Sequence, residues 1–161
     1  MAVDFFLKVE GVKGEARDKT HTEEIDVISW SWGLMNSGTM HIGGGGGAGK
    51  VSIQDLTVTK YVDKSTPNMI DSCTTGKHFP NAVLYCRKAS GEDPIEYLKV
   101  RMEDVLITNI SHGGSDGEER LTESVTLNFA KVEVAYTEQK PDGSAGPEVV
   151  QGWNIEENAK L

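Results

Sequence analysis

The feature that most constrains this chain is an apolar alternation of period two that keeps changing parity. Phe5, Leu7 and Val9 share one side of a first run, with Phe6, Lys8 and Glu10 opposite. A second run begins with Ile25 and Val27, then shifts to Ile28, Trp30 and Trp32. Val51 and Ile53 give way to Leu56 and Val58 around Gln54-Asp55. A fourth run covers about Ala82–Lys88, and Ile95–Ser111 reads as one bent strand or two. Across Leu121–Tyr136 the set Val125, Leu127, Phe129 passes to Val132, Val134, Tyr136, and a last run carries Val149, Trp153 and Ile155. Period two puts alternate residues on opposite faces of a strand. A change of parity requires a β-bulge, or a strand that bends and exchanges its inward face. Both belong to sheets that curl into barrels or cross between packed layers. The 36 Val, Ile and Thr residues against 18 Leu and Ala point the same way. The expectation is a mainly β, curled antiparallel two-sheet barrel. Pro67, Pro80, Pro94, Pro141 and Pro147 are expected outside strand interiors.

One helix is expected over about Thr66–Thr75. Thr66 is placed to cap it, Pro67 to open it and Gly76 to end it in the left-handed conformation. Met69, Ile70 and Cys73 form its apolar stripe, which must lie against the sheet. A long glycine-rich loop is expected over about Gly38–Gly49, and a second Gly/Pro/Ser-rich connection over Pro141–Pro147.

A chain of 161 residues is one domain's length and buries a core without disulfide or metal staples. The expectation is a single domain over 1–161, with no fused C-terminal domain. Sixteen basic residues against 25 acidic ones leave a net charge of −9, which makes nucleic acid and anionic membranes poor partners; no nucleic-acid partner is expected. The longest apolar run, Ala82–Cys86, is far short of the roughly 20 residues of a membrane helix, so no membrane insertion is expected. The N-terminus lacks the basic and apolar regions of a secretory signal. Such a chain stays in the cytoplasm or leaves by a route that does not read one. Cys73 and Cys86 fit a reducing compartment, and nothing in their spacing requires them to pair.

Two motifs suggest chemistry and lack its context. Gly44 through Gly49-Lys50 fits G-x-x-x-x-G-K, but Val51 stands where a P-loop needs Ser or Thr, and the following residues alternate as a strand. Gly113-Gly-Ser115-Asp-Gly117 fits G-x-S-x-G, but no histidine follows Ser115 and the downstream segment reads as strand. Cys73, Cys86 and the four histidines have no metal-ligand spacing. Glu23-Glu24 and Glu118-Glu119, as neighbours along a strand or turn, are not paired acids. Trp30 and Trp32 share a face, as a core pair or as a sugar- or peptide-stacking platform. The residues alone therefore point to a structural or binding protein without catalytic residues, cofactor or metal.

The chain also resembles the haemolysin-coregulated protein (Hcp) family of type VI secretion tubes. The resemblance is carried by Lys13-Gly-Glu15, Thr20-His-Thr-Glu-Glu-Ile-Asp-Val27, Ser29-Trp-Ser-Trp-Gly33, Gly49-Lys50-Val51, Asp55-Leu56 and Thr59-Lys60. It continues through Asp63-Lys-Ser-Thr-Pro67, Gly76-Lys-His78, Glu123-Ser-Val-Thr-Leu-Asn-Phe129 and Gly152-Trp153-Asn154. It implies a two-sheet barrel with a flanking helix, hexameric rings that stack into a tube, and no enzymatic activity. It further implies a contractile sheath, a spike protein at the tip, effectors carried and protected in the ring lumen, and export without a signal peptide. On that footing Gly43, Gly44, Gly45, Gly46, Gly47 and Lys50 are expected to contact another subunit within or between rings. Gly114, Ser115 and Asp116 are expected to contact effectors in the lumen. The competing reading is a monomeric carbohydrate- or peptide-binding β-sandwich that uses Trp30 and Trp32 or the glycine loop.

Overall fold

The computed structural model describes residues 3–41, 43–44, 46–88 and 94–161. One 19-residue strand, β7 (Ile95–Gly113), organises it. The other strands are β1 (Val3–Val9), β2 (Ile25–Ser31), β3 (Leu34–Gly38), β4 (Ala48–Ile53), β5 (Leu56–Tyr61) and β6 (His78–Lys88). After β7 come β8 (Thr122–Asn128), β9 (Lys131–Gln139), β10 (Ala145–Asn154) and β11 (Ala159–Lys160). Along its first half β7 pairs with β6 on one side and β9 on the other; along its second half it pairs with β8. Because β8 also pairs with β5, the order β7-β6-β1-β2-β5-β8 closes on itself as an antiparallel barrel. β9, β10 and β11 extend the sheet beyond it, and β3–β4 form a separate two-stranded hairpin.

The parity changes have three physical origins. In β2 the change after Val27 is a bulge, where the register with β5 shifts between Val27 and Ser29. In β7 the buried set passes from Val100 and Met102 to Val105 and Ile107 across Asp104, whose φ is +53°. The segment 95–111 is therefore one bent strand. The other two changes are ends of strands. Val51 and Ile53 belong to β4 while Leu56 and Val58 belong to β5, and Leu121–Tyr136 divides into β8 and β9. β3 and β11 were not expected.

The prolines depart from expectation at two positions. Pro80 lies inside β6, at a gap in its ladder with β7 beside Asp104, where the missing N–H removes no pairing. Pro147 lies in β10, at the register shift between Ala145 and Glu148. The second connection is also shorter than expected, a tight turn closed by Lys140 N–H to Ser144 O at 2.8 Å.

The helix α1 (Thr66–Thr75) has the expected bounds, with Ser65 rather than Thr66 at its N-cap. Gly76 ends it at φ 75°, donating its N–H to Ser72 O, the left-handed closure that favours glycine. The buried stripe is Thr66, Met69 and Ser72, with Cys73 half-buried, whereas Ile70 is exposed. Ile70 points outward because the polar Thr66 and Ser72 take the inward positions through hydrogen bonds to Glu123 and to Lys77 O.

The core is a ladder of inward residues from every barrel strand, including Leu7, Ile25, Leu84 and Ile107. Where β5 meets β8, the inward cross-strand pairs are Leu56–Leu127, Val58–Val125 and then Lys60–Glu123. Lys60 and Glu123 are thus buried charges on core positions. Lys60 Nζ donates to Glu123 Oε1, to Asp63 Oδ1 at 3.1 Å and to Tyr61 O at 2.9 Å. Thr66 Oγ1 donates to Glu123 Oε1 at 2.7 Å. His112, the β7 register partner of Glu123, places Nε2 2.8 Å from Glu123 Oε2.

Removing one member of such a pair leaves an unmatched buried charge. Lys60→Met is therefore expected to cost about 3–5 kcal/mol in urea unfolding at fixed protein concentration, with most of it recovered in Lys60→Met/Glu123→Leu. Equal midpoints for the wild type and the single variant would contradict this role. Gly14 offers a second test. A Cβ there would stand 2.4 Å from the backbone oxygen of Glu24, so Gly14→Ala is expected to lower the midpoint by an amount equivalent to roughly 1–3 kcal/mol.

Candidate functional site

The β3–β4 hairpin is the least covered element of the fold. All five residues of β3 are exposed, with Leu34 at 58% and Met35 at 67%, and Met40 beyond the strand reaches 78%. Its register pairs Leu34 with Ile53 and Asn36 with Val51. Because side chains alternate, these four stand on one face. Opposite them, β9 and β10 present Val132, Val134 and Trp153. The space between is an apolar groove of about 460 Å³, with Trp32 in its wall and Lys160 at its edge. The Nε1 atoms of Trp32 and Trp153 are buried and have no acceptor among the described residues. An indole N–H in that state costs on the order of 1–3 kcal/mol. Farther along the same face of β9 and β10, Tyr136 and Val149 are exposed.

The glycine-rich segment is the tip of this hairpin. β3 ends at Gly38 and β4 begins at Ala48, so the connection is shorter than expected at both ends. Gly43, Gly44, Gly46 and Gly47 are exposed in it, and Lys50 is exposed on β4. Gly45 lies outside the described residues. Thr39 fastens the base of the tip by donating its N–H (3.1 Å) and Oγ1 (2.8 Å) to Gly47 O. The second expected group stands elsewhere. Gly114, Ser115 and Asp116 are exposed in the connection from β7 to β8, a turn held by Glu118 N–H to Ser115 O at 3.2 Å. Among the described residues no hydrogen bond joins the two groups.

Trp30 and Trp32 part company. Trp30 packs edge-on against Phe5, with ring centroids 6.4 Å apart at 83°, and contacts Cys86, whose thiol burial pushes up to about 11. Trp32 lies past the end of β2 in the groove wall. Among the described residues no ring contact joins them, and they form no common platform. Cys73 and Cys86 are both free thiols.

Sequence reasoning missed the buried polar residues. Their only signal is parity, because Lys60 continues the inward series Leu56, Val58 and Glu123 begins the inward series Val125, Leu127. The polar residues of the β1–β2 connection, which lies outside the strands, have no alternation to signal them. There Asp18 accepts from Arg87 Nη1 at 2.8 Å and Nη2 at 2.6 Å, and that hydrogen bonding holds its carboxyl far below the usual carboxylate range.

Comparison with known proteins completes the description. A family model described as "Type VI secretion system effector, Hcp" matches residues 6–136. The chain is 59% identical over 161 residues to Protein hcp1 of Pseudomonas aeruginosa, covering 99% of each. Among solved structures it resembles Hcp1 from Salmonella typhimurium at 38% identity and a TM-score of 0.83, covering 100% of both chains. It also resembles a type VI secretion system effector from Yersinia pestis at 31% identity and a TM-score of 0.77, covering 94% of this chain and 100% of that one. A structure titled as that of a type six secretion system protein superposes at a TM-score of 0.93 with 27% identity, over 99% and 100% of the chains. A match of this extent, on the barrel and helix just described, establishes that the chain belongs to the Hcp family of type VI secretion system proteins, which is structural rather than enzymatic.

Proposed function

We propose that this chain is the tube subunit of a type VI secretion machine. Copies close head to tail into hexameric rings, and rings stack into a tube tipped by a spike protein and driven by a contractile sheath. Effectors travel in the lumen. The subunit is made in the cytoplasm and leaves with the tube. The observation that carries this reading is the open apolar face, with Leu34 exposed on the hairpin and Tyr136 and Val149 exposed on β9 and β10. An apolar surface left this open is characteristic of a protein–protein contact. Head-to-tail closure needs two different surfaces on one subunit, and this face would be one of them.

In this reading Gly43–Gly47 and Lys50 form the arm that touches a second copy. Gly114, Ser115 and Asp116 form a small, polar luminal surface for effectors. Native mass spectrometry of the purified chain is expected to show a six-subunit species, and Leu34→Glu/Val149→Glu is expected to convert it to monomer. A wild-type monomer at micromolar concentration would overturn the ring and favour a ligand-binding sandwich. Ser115→Trp is expected to leave rings intact and abolish effector co-purification; retained effector would remove this turn from the luminal contact.

A further inference from the structure

The chain has arginines at positions 17, 87, 101 and 120. Arg87 is held by Asp18 and Asp4, and Arg101 by Glu133 at 2.8 Å. Arg17 and Arg120 have no carboxylate at ion-pair distance among the described residues. Acidic residues outnumber basic ones 25 to 16, so the missing partners are not for want of carboxylates. Both unpaired arginines line one cleft of about 470 Å³, together with Glu15, Asp26, Tyr61 and Asp63.

Four segments converge there, each fixed close to the residue it brings. The β1–β2 connection, residues 10–24, brings Glu15 and Arg17. Arg17 lies between Ala16, whose N–H donates to Glu24 O at 3.0 Å, and Asp18, which accepts from Arg87. Farther on, His21 pins the same connection, with Nδ1 2.6 Å from Glu24 Oε2 and Nε2 in contact with Glu96 of β7. Asp26 comes from β2, in register with Phe6 of β1. Tyr61 and Asp63 come from the end of β5. Arg120 comes from the β7–β8 connection, next to Leu121, whose carbonyl accepts from Val62 N–H at 2.9 Å. A site whose parts are placed before a ligand arrives has less ordering to lose on binding.

The charges in the cleft differ in what they already hold. Glu15 Oε2 accepts from Lys64 N–H at 2.9 Å, and Asp63 Oδ1 accepts from Lys60 and from Ser65. Asp26 has no hydrogen bond or ion pair among the described residues. The Arg120 guanidinium lies over the Tyr61 ring, 3.8 Å from its centroid, where the ring's quadrupole holds a cation. Tyr61 is thus a positioning residue that keeps Arg120 off the carboxylates beside it. Two guanidinium groups and one carboxylate face the same space without neutralising one another.

A guanidinium binds a carboxylate through parallel N–H donors, and a carboxylate accepts from an ammonium. We propose that this cleft binds a small zwitterion with two carboxylates, an acidic α-amino acid, whose carboxylates engage Arg17 and Arg120 and whose ammonium engages Asp26. A simple anion leaves Asp26 unmatched, and a simple cation leaves both guanidinium groups unmatched. A ligand carrying both signs satisfies all three. The site lies within one chain and goes beyond the tube reading, since it needs neither ring nor effector.

The test is isothermal titration calorimetry of the full chain at low salt and pH 7. The probes are L-glutamate, glutarate, which lacks the ammonium, and propylamine, which lacks the carboxylates. L-Glutamate is expected to bind saturably at one per chain, glutarate about tenfold more weakly, and propylamine not measurably. Asp26→Asn is expected to bring L-glutamate down to the level of glutarate. Arg120→Gln is expected to weaken both dicarboxylates alike. Tyr61→Phe is expected to keep wild-type affinity and Tyr61→Leu to lose it, because the ring and not the hydroxyl holds Arg120. Thermal midpoints establish that each variant is folded, and the three wild-type titrations decide the proposal without any variant. No saturable binding of L-glutamate, or equal affinities for L-glutamate and glutarate, would overturn it. An undiminished preference for L-glutamate in Asp26→Asn would overturn it as well, and wild-type affinity in Tyr61→Leu would remove Tyr61 from the site.

Discussion

Glu123 places a carboxylate in the core at the seam where the barrel closes, and the surrounding structure compensates that charge. β8 is the strand that joins β5 to β7. On it, Glu123 is flanked by Lys60 across one ladder and His112 across the other, with Thr66 of the helix donating from above the core. Desolvating a carboxylate costs several kcal/mol, and a buried ion pair often does little more than balance that loss. What it adds is discrimination. A slip of one residue in β8 would turn Glu123 outward and bring Ser124 and Thr126 into the place of Val125 and Leu127. Leu–Leu and Val–Val pairs tolerate sliding better than a lysine whose three donors all have assigned acceptors. The charged pair therefore fixes the register at which the barrel closes.

The same cluster also positions the helix. Asp63 accepts from Lys60 and from the Ser65 N–H at 2.9 Å, and its own N–H donates to Thr66 Oγ1 at 3.1 Å. The start of α1 is thus tied to the end of β5 through the group that pairs with Glu123. A ten-residue helix with one buried methionine has little to hold it by itself. The second polar centre, around His21 and Arg87, does for the β1–β2 connection what the first does for α1. Each fastens a segment that hydrophobic contacts alone would leave loose.

Alternation revealed the barrel because each inward position on a strand must be apolar or paired, and most are apolar. Phe5, Leu7 and Val9, or Val125 and Leu127, declare their faces without help from distant residues. The parity changes were ambiguous for a definite reason. A bulge at Val27, a turn between Ile53 and Leu56 and a positive-φ residue at Asp104 all insert residues that exchange faces, so the pattern alone does not separate them. Pro80 was misplaced because the gap that accommodates it is made by Asp104, 24 positions downstream. β3 escaped notice because Leu34 to Gly38 is exposed on both faces and so has no alternation. The same lack of pattern hid the groove, which needs Trp32 and Trp153, more than a hundred residues apart, to be seen together.

The residues by which the chain resembles its family divide in a related way. Lys60, Asp63, Thr66 and Glu123, like His21 and Glu24, are members of the two buried polar centres. A buried charge restricts its neighbours far more than a buried methyl group does. A leucine can be replaced by another hydrophobe of similar volume, but the buried Glu123 carboxylate needs the Lys60 and Thr66 donors on its Oε1. The motifs most legible as a family signature are therefore the ones that close the barrel and pin its connections. The hairpin tip and the Gly114–Asp116 turn have few such obligations. Among the described residues they are exposed and their hydrogen bonds are local. A barrel whose register is locked from inside leaves these projecting segments free to be shaped by whatever they touch.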